Sequence, residues 1–394
     1  MTPTTGGPFT SRFHWEEHPN ALTKLLREKR NAGEEILDLT ESNPTHAGLD
    51  YPAREILSAL ADPAVMQYDP NPCGLYSARE AVSQYYAGHG ADVSPSRILL
   101  TASTSEAYAY LFKLLTSPGD EVLVPRPSYP LFEYLAAMES VKVRQYPLRY
   151  DGAWHIDFAA LDELAGERTR AIVVVNPNNP TGSYLKKEEW WRLESFAAER
   201  SIAILSDEVF ADYALLDDSD RATTLVGACD ALTFVMSGLS KVAGLPQMKL
   251  GWIVASGPGH ELALPGLEWI ADTFLSVSTP IQIALPSILP ASATVREQIR
   301  IRTQTNLAIL HKAVRQNTPC HVLNTEGGWY AVLRVPNTVS EEARALELLA
   351  ADNVLVQPGF FYDFESEAFL VLSLLTPTEM FSEGVRRILA RVVS

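Results

Sequence analysis

A chain of 394 residues, 46% hydrophobic and 20% charged, is long enough for a large core and a second smaller one, and this composition excludes a disordered chain. A formal charge of −16 excludes the usual nucleic-acid binder, which concentrates Lys and Arg on one face. Cys73, Cys229 and Cys320 are odd in number and far apart without a CxxC, so they give neither a disulfide framework nor a zinc pattern and fit a reducing compartment. The start, Met1 to Phe13, is polar and lacks the apolar stretch of a signal peptide, and no apolar run reaches membrane-spanning length. The expectation is a soluble cytoplasmic protein with neither a nucleic-acid nor a membrane partner.

In chain order, short apolar runs predict strands at 98–101, 121–124, 141–146, 170–175, 202–206, 232–236 and 250–255. Amphipathic helices are predicted between several of them, at 105–115, 130–137 and 187–200. A run such as Ala171-Ile172-Val173-Val174-Val175 suits a strand buried on both faces. Strands separated by helices imply parallel pairing with right-handed crossovers, hence an α/β fold. After about Pro280 the pattern changes. A long helix at 295–316 precedes strands near 321, 330–335, 354–357 and 370–374, with helices near 341–351 and 382–392, which together read as an α+β unit. The expected division is an N-terminal segment 1–50 lying with the smaller unit, a large domain 51–285 and a small domain 286–394. No internal repeat, low-complexity tract or long flexible linker is present.

Ligands of open parallel sheets gather at the carboxyl ends of the strands, and four notable segments fall there. Ala102-Ser103-Thr104-Ser105-Glu106 opens a helix, where hydroxyls and free N–H groups suit a phosphate; taken alone it reads first as a Ser/Thr cap. Asn176-Pro177-Asn178-Asn179-Pro180-Thr181-Gly182 follows the most hydrophobic run, its prolines and glycine fixing the loop while the amides offer donors; as an isolated turn it carries little weight. Asp207-Glu208 places a carboxylate where burial demands a partner, or else caps a helix. Ser237-Gly238-Leu239-Ser240-Lys241 puts a lysine among small residues, where burial favours loss of its proton and imine formation, although most lysines sit in solvent.

The four segments in this order resemble the fold-type-I pyridoxal-5′-phosphate (PLP) enzymes, specifically the class I/II aminotransferases. The resemblance runs from the Glu41-Ser42-Asn43-Pro44 turn, through Tyr68 and Gly74, to the Gly327-Gly328-Trp329 turn and the final helix. It implies a large domain with a mostly parallel seven-stranded sheet and a smaller α+β domain. Lys241 resembles the lysine that carries the cofactor as a Schiff base and shuttles the proton. By the same resemblance Asp207 pairs with the pyridine nitrogen, Asn179 bonds the 3′ oxygen, and Tyr129 stacks on the ring. Ser103, Thr104, Ser240 and Lys249 hold the phosphate, joined by Tyr68 from the other subunit of a homodimer. The implied reaction exchanges an amino group between amino and keto acids.

Three positions depart from the family pattern. Phe210 stands where a tyrosine usually helps hold the 3′ oxygen, which should raise the pKa of the Schiff base. Lys249 stands where an arginine forks onto the phosphate, so charge is kept without the bidentate grip. Val371 stands where an arginine grips the substrate carboxylate, with Arg334 and Arg54 as candidate substitutes. That last change keeps other carbanion outcomes open, namely elimination, racemisation, decarboxylation or cyclisation. A PLP-binding regulator would need a DNA-binding module ahead of Glu41, and the segment there is too short and not basic enough. No GxSxG, Walker or GxGxxG motif is present, the histidines lack metal-ligand spacing, and Trp190-Trp191 reads as packing.

Overall fold

The computed structural model describes Arg12 and residues 19–315, 319–366 and 368–393. Apart from Arg12, the polar start up to Phe13 lies outside the described residues, as does the predicted helix end at Gln316. In chain order the strands are β1 (Leu37–Asp38), β2 (Ile98–Thr101), β3 (Glu121–Arg126), β4 (Lys142–Tyr150), β5 (Trp154–Ile156), β6 (Thr169–Val175), β7 (Ala203–Asp207), β8 (Thr233–Gly238), β9 (Gly251–Ser256), β10 (His321–Val322), β11 (Tyr330–Arg334), β12 (Val354–Leu355), β13 (Gln357–Pro358) and β14 (Phe369–Ser373).

The large sheet has the order β2-β9-β8-β7-β6-β3-β4-β5. Its centre, β8 through β4, is parallel. β9 runs antiparallel to both β2 and β8, and β5 antiparallel to β4. The expected seven strands are therefore eight. The added one, β5, has only three residues after a tight turn in which Gly152 has φ +113°, too short to show a period of two. Helices also exceed expectation. Those at His260–Phe274 and Thr279–Ala291 contain Pro265, and Pro286 with Pro290, which read in sequence as helix breakers. Pro280 opens the second of them at the first turn, where its missing N–H costs nothing.

Both faces of the large sheet are covered. Ile172 and Val174 of β6 pack with Val82, Leu193, Phe196 and Leu285 on one side. Ala171, Val173 and Val175 pack with Leu111, Phe112 and Leu267 on the other, as the continuous apolar run implies. Each fully buried aliphatic side chain contributes about 1.5–3 kcal/mol, which rigidifies the strand ends that carry the polar loops.

The second sheet, β10-β11-β14-β13, is antiparallel. Leu333, Leu370 and Leu372 point into a core shared with Leu348 and Ile388 of the C-terminal helices and with Leu22 and Leu39. β1 pairs in parallel with β12, so the N-terminal segment packs against the C-terminal part. Tyr330, Val332 and Val371 project from the opposite face into a cluster with Phe210, Tyr213 and Trp329. This fourth cluster lies against the loops that follow β7 and β8.

Candidate active site

At the end of β2, Ser103 caps the helix Thr104–Leu115: its Oγ accepts from Glu106 N at 3.2 Å, while the Ala102 N–H donates to Glu106 Oε2 at 2.6 Å. Capping therefore leaves the Thr104–Leu115 dipole aimed outward. The turn is held close to β8 and β9 by two glycines. A Cβ on Gly251 would lie 3.1 Å from both Ser103 C and Ser237 O, and one on Gly238 would lie 2.9 Å from Gly251 Cα. A side chain at either glycine would crowd that approach, which brings the Ser103 turn against the end of β9 and the end of β8.

The loop after β6 sorts its three asparagines. Asn176 donates to Ala222 O at 2.9 Å and accepts from Leu185 N at 3.0 Å. Asn178 donates to Pro127 O at 3.0 Å and Thr181 Oγ1 at 2.9 Å, and accepts from Ser128 Oγ at 3.3 Å. These two are structural, and they fix the turn that presents Tyr129, which is 47% exposed. Asn179 differs: it is buried, and its Oδ1 has no partner. Buried polar atoms are almost always satisfied, so this orphaned amide marks a place for a bound group.

Asp207 ends β7. Its Oδ2 accepts from Tyr108 Oη at 3.1 Å and its Oδ1 from Val209 N at 3.2 Å. Burial nevertheless raises its pKa to about 6, against those bonds and the opposing attraction of Lys241. Lys241 lies on the short helix Leu239–Val242. Burial lowers its pKa from 10.5 to about 8, opposed by Asp207. Its Nζ is 4.8 Å from the ring centre of Trp329 and 5.7 Å from that of Phe210. Trp329 is fully buried and its Nε1 has no partner. The site thus holds an amine poised between charged and neutral, a carboxylate facing it, an orphaned amide and an orphaned indole donor. The amine and the carboxylate fit an aldehyde cofactor whose ring carries a cationic nitrogen, and the Asn179 Nδ2–H group, not its unpartnered Oδ1, is the donor for an anionic ring oxygen; PLP has this character.

Two expected phosphate contacts are less enclosed. Ser240 is half-buried beside Lys241, whereas Lys249 is exposed on a left-handed turn at φ +50°. Tyr68 is 72% exposed and lines a separate cavity with Gly74 and Leu100; within this chain nothing encloses it. Arg54 is exposed on the helix Ala53–Leu60, and Arg334 lines a cleft with Trp154 and Phe369. Tyr213 donates its hydroxyl to the Lys241 carbonyl at 2.5 Å, which uses the proton that a substitute for the missing tyrosine hydroxyl at 210 would have to donate. Sequence reasoning missed Tyr108 as part of this site, left open whether Tyr213 substitutes for the hydroxyl missing at Phe210, and gave Trp329 only as part of a turn. The Gly327-Gly328 pair before Trp329 was the available signal.

The family profile described as aminotransferase class I and II matches residues 34–388. The chain belongs to this family. It is 28% identical over 376 residues to the glutamate-pyruvate aminotransferase AlaA of Haemophilus influenzae, covering 92% of this chain and 91% of that one. It is 29% identical over 277 residues to the human tyrosine aminotransferase, covering 68% and 60%. In structure it resembles an aminotransferase from Escherichia coli, with a TM-score of 0.85, 24% identity and 99% of both chains covered. The alanine aminotransferase of Pyrococcus furiosus gives 0.83, at 24% identity over 94% and 96%. The protein is a fold-type-I, PLP-dependent aminotransferase. Among the described residues no helix is long and apolar enough to cross a membrane, and no His/Cys/Asp/Glu group could hold a metal ion.

Proposed function

We propose that this aminotransferase exchanges an amino group between an amino acid and a keto acid at Lys241, with the other site residues in the roles their positions suggest. The observation that carries the reading is the half-buried Lys241 amine and Asp207 carboxylate, each acting on the other's charge, beside Asn179, whose buried Oδ1 has no partner. When bound, PLP supplies an electron-withdrawing ring that stabilises negative charge on the reacting carbon. Lys241 binds the cofactor covalently; with its pKa near 8, about a tenth of it is neutral and nucleophilic at pH 7. The same amine moves the proton of the reacting carbon, with Trp329 and Phe210 shielding it from water. Asp207 keeps the proton on the ring nitrogen, Asn179 donates to the ring oxygen, and Tyr129 lies on the ring face. Ser103, Thr104, Ser240 and Lys249 receive the phosphate at the helix N-terminus.

Tyr68, exposed in one chain, suits donation to a neighbouring copy, so the working form is proposed as a cytoplasmic homodimer with shared sites. The division at about residues 50 and 285 is likewise proposed; it follows the separate cores of the two sheets. Borohydride reduction of cofactor-saturated protein, followed by peptide mass spectrometry, tests the reading. Modification of Lys241 is expected, with loss of turnover in Lys241→Ala, and an unmodified Lys241 would overturn it. The apolar wall at Val371 favours a second reading, in which elimination, decarboxylation or cyclisation replaces transamination. Half-reaction spectra separate the two, because only transamination accumulates the pyridoxamine form.

A further inference from the structure

The wall that faces Lys241 from the C-terminal sheet is apolar. Val332 pairs with Val371 and Tyr330 with Ser373 across β11 and β14. Tyr330, Val332 and Val371 turn toward Phe210 and Trp329, the rings beside Lys241 Nζ, while Leu370 and Leu372 turn away into the other core. No residue of β14 is basic, so no shift of register would supply a cation. The charges that act on this cluster are mixed: Asp207 acts on Lys241 and Tyr129, Glu41 on Tyr330, and Asp212 and Arg296 oppose each other at Tyr213.

Two arginines each spend one nitrogen on backbone carbonyls. Arg296 Nη1 donates to Val242 O at 3.2 Å and Leu289 O at 3.4 Å. Arg302 Nη1 donates to Ala47 O at 3.1 Å and Leu375 O at 3.3 Å. A carboxylate brought up to Val371 would lose its water and find no cation on β14 to replace it, an arrangement proteins avoid.

We propose that one substrate exchanged at Lys241 is a primary amine whose amino-bearing carbon carries no carboxylate, with an apolar or neutral substituent directed toward the apolar cluster that holds Val371, Phe210 and Trp329. The inference rests on the aminotransferase reading for its chemistry but is decided by binding. Holoenzyme is titrated with the matched pairs L-phenylalanine and 2-phenylethylamine, L-leucine and 3-methylbutylamine, and L-alanine and ethylamine. Cofactor absorbance gives dissociation constants, corrected for the free-base fraction of each amine. In every pair the amine is expected to bind at least as tightly as the amino acid. Val371→Arg is expected to tighten the amino acids about tenfold, the worth of one charged hydrogen bond, and to leave the amines unchanged.

The pair comparison in the unaltered protein stands even where Val371→Arg fails to fold. An amino acid binding about tenfold tighter than its amine overturns the inference, and loss of that advantage in Arg302→Gln would assign the carboxylate to Arg302 instead. Absence of saturation by all three amines overturns it as well. Failure of the parent reading looks different: amines bind as expected, yet no pyridoxamine form accumulates.

Discussion

Lys241→Met should stabilise the cofactor-free protein. Burial takes the lysine from 10.5 to about 8; at about 1.4 kcal/mol per tenfold change, this withholds about 3 kcal/mol of folding stability while the amine is charged. The attraction of Asp207 is already inside that figure, since it is what keeps the pKa from falling further. The side chain retains part of its surface in solvent, so screening reduces the expected gain to roughly 2 kcal/mol at pH 7. Methionine keeps the reach and the packing against Trp329 without the amine. The sign follows from proton counting. Because the folded pKa lies below the unfolded one, the unfolded chain binds more protons between about pH 8 and 10.5, and stability of the unaltered protein rises with pH across that window. The advantage of methionine is thus full below pH 8 and gone near pH 10.5. Urea unfolding of both cofactor-free proteins at pH 7 and near pH 10.5 checks this. A variant less stable at pH 7, or an advantage equal at both pH values, would refute the reasoning.

Asn179→Ala removes an amide that has no partner, so cofactor-free stability should change by less than about 0.5 kcal/mol. Its cofactor dissociation constant, followed by fluorescence, should rise roughly tenfold. Gly182→Ala should destabilise by about 2–4 kcal/mol in thermal or urea unfolding, because Gly182 has φ +71° and a Cβ there would lie 2.5 Å from Gly327 O. Phe210→Tyr restores a hydroxyl beside Lys241. The pH midpoint of the holoenzyme's absorbance titration should fall, since the added donor favours the deprotonated form; an unchanged midpoint would show that the hydroxyl does not reach the ring oxygen.

Local pattern carried much of this far. β2 matches its predicted span of 98–101, and the helix Lys187–Arg200 matches 187–200, because each is a continuous or periodic apolar run between clear breakers. β5 was illegible because three residues show no period, and Thr279–Ala291 because its prolines argue against the helix that packing enforces. Lys241, Asp207 and Asn179 stood out in the sequence because each falls at or soon after the end of an apolar run, and their roles came only from the resemblance that the four segments carry together. Tyr108 did not: it donates to Asp207 across 99 residues of sequence. The bond of Tyr213 to the Lys241 carbonyl is likewise set by tertiary contact across 28 residues, while Trp329 left only the Gly327-Gly328 pair before it as a signal.

The turn at residues 325–328 shows why so many unsatisfied groups are tolerated around Lys241. Gly182 O accepts from Glu326 N at 3.2 Å and Gly327 N at 2.9 Å. On its other side, Leu215 N donates to Glu326 O at 2.8 Å and Gly328 N to Tyr213 O at 2.9 Å. The Glu326 side chain adds Lys186 Nζ at 2.8 Å and Tyr184 N at 3.1 Å. One turn of the C-terminal part is therefore welded to both the loop after β6 and the loop after β7. Trp329 follows directly, so the ring beside Lys241 is held by hydrogen bonds that never touch the amine. The orphaned atoms of Asn179 and Trp329 persist because this lattice over-determines their positions. A change at the turn should consequently disturb the environment of Lys241 before it disturbs either hydrophobic core.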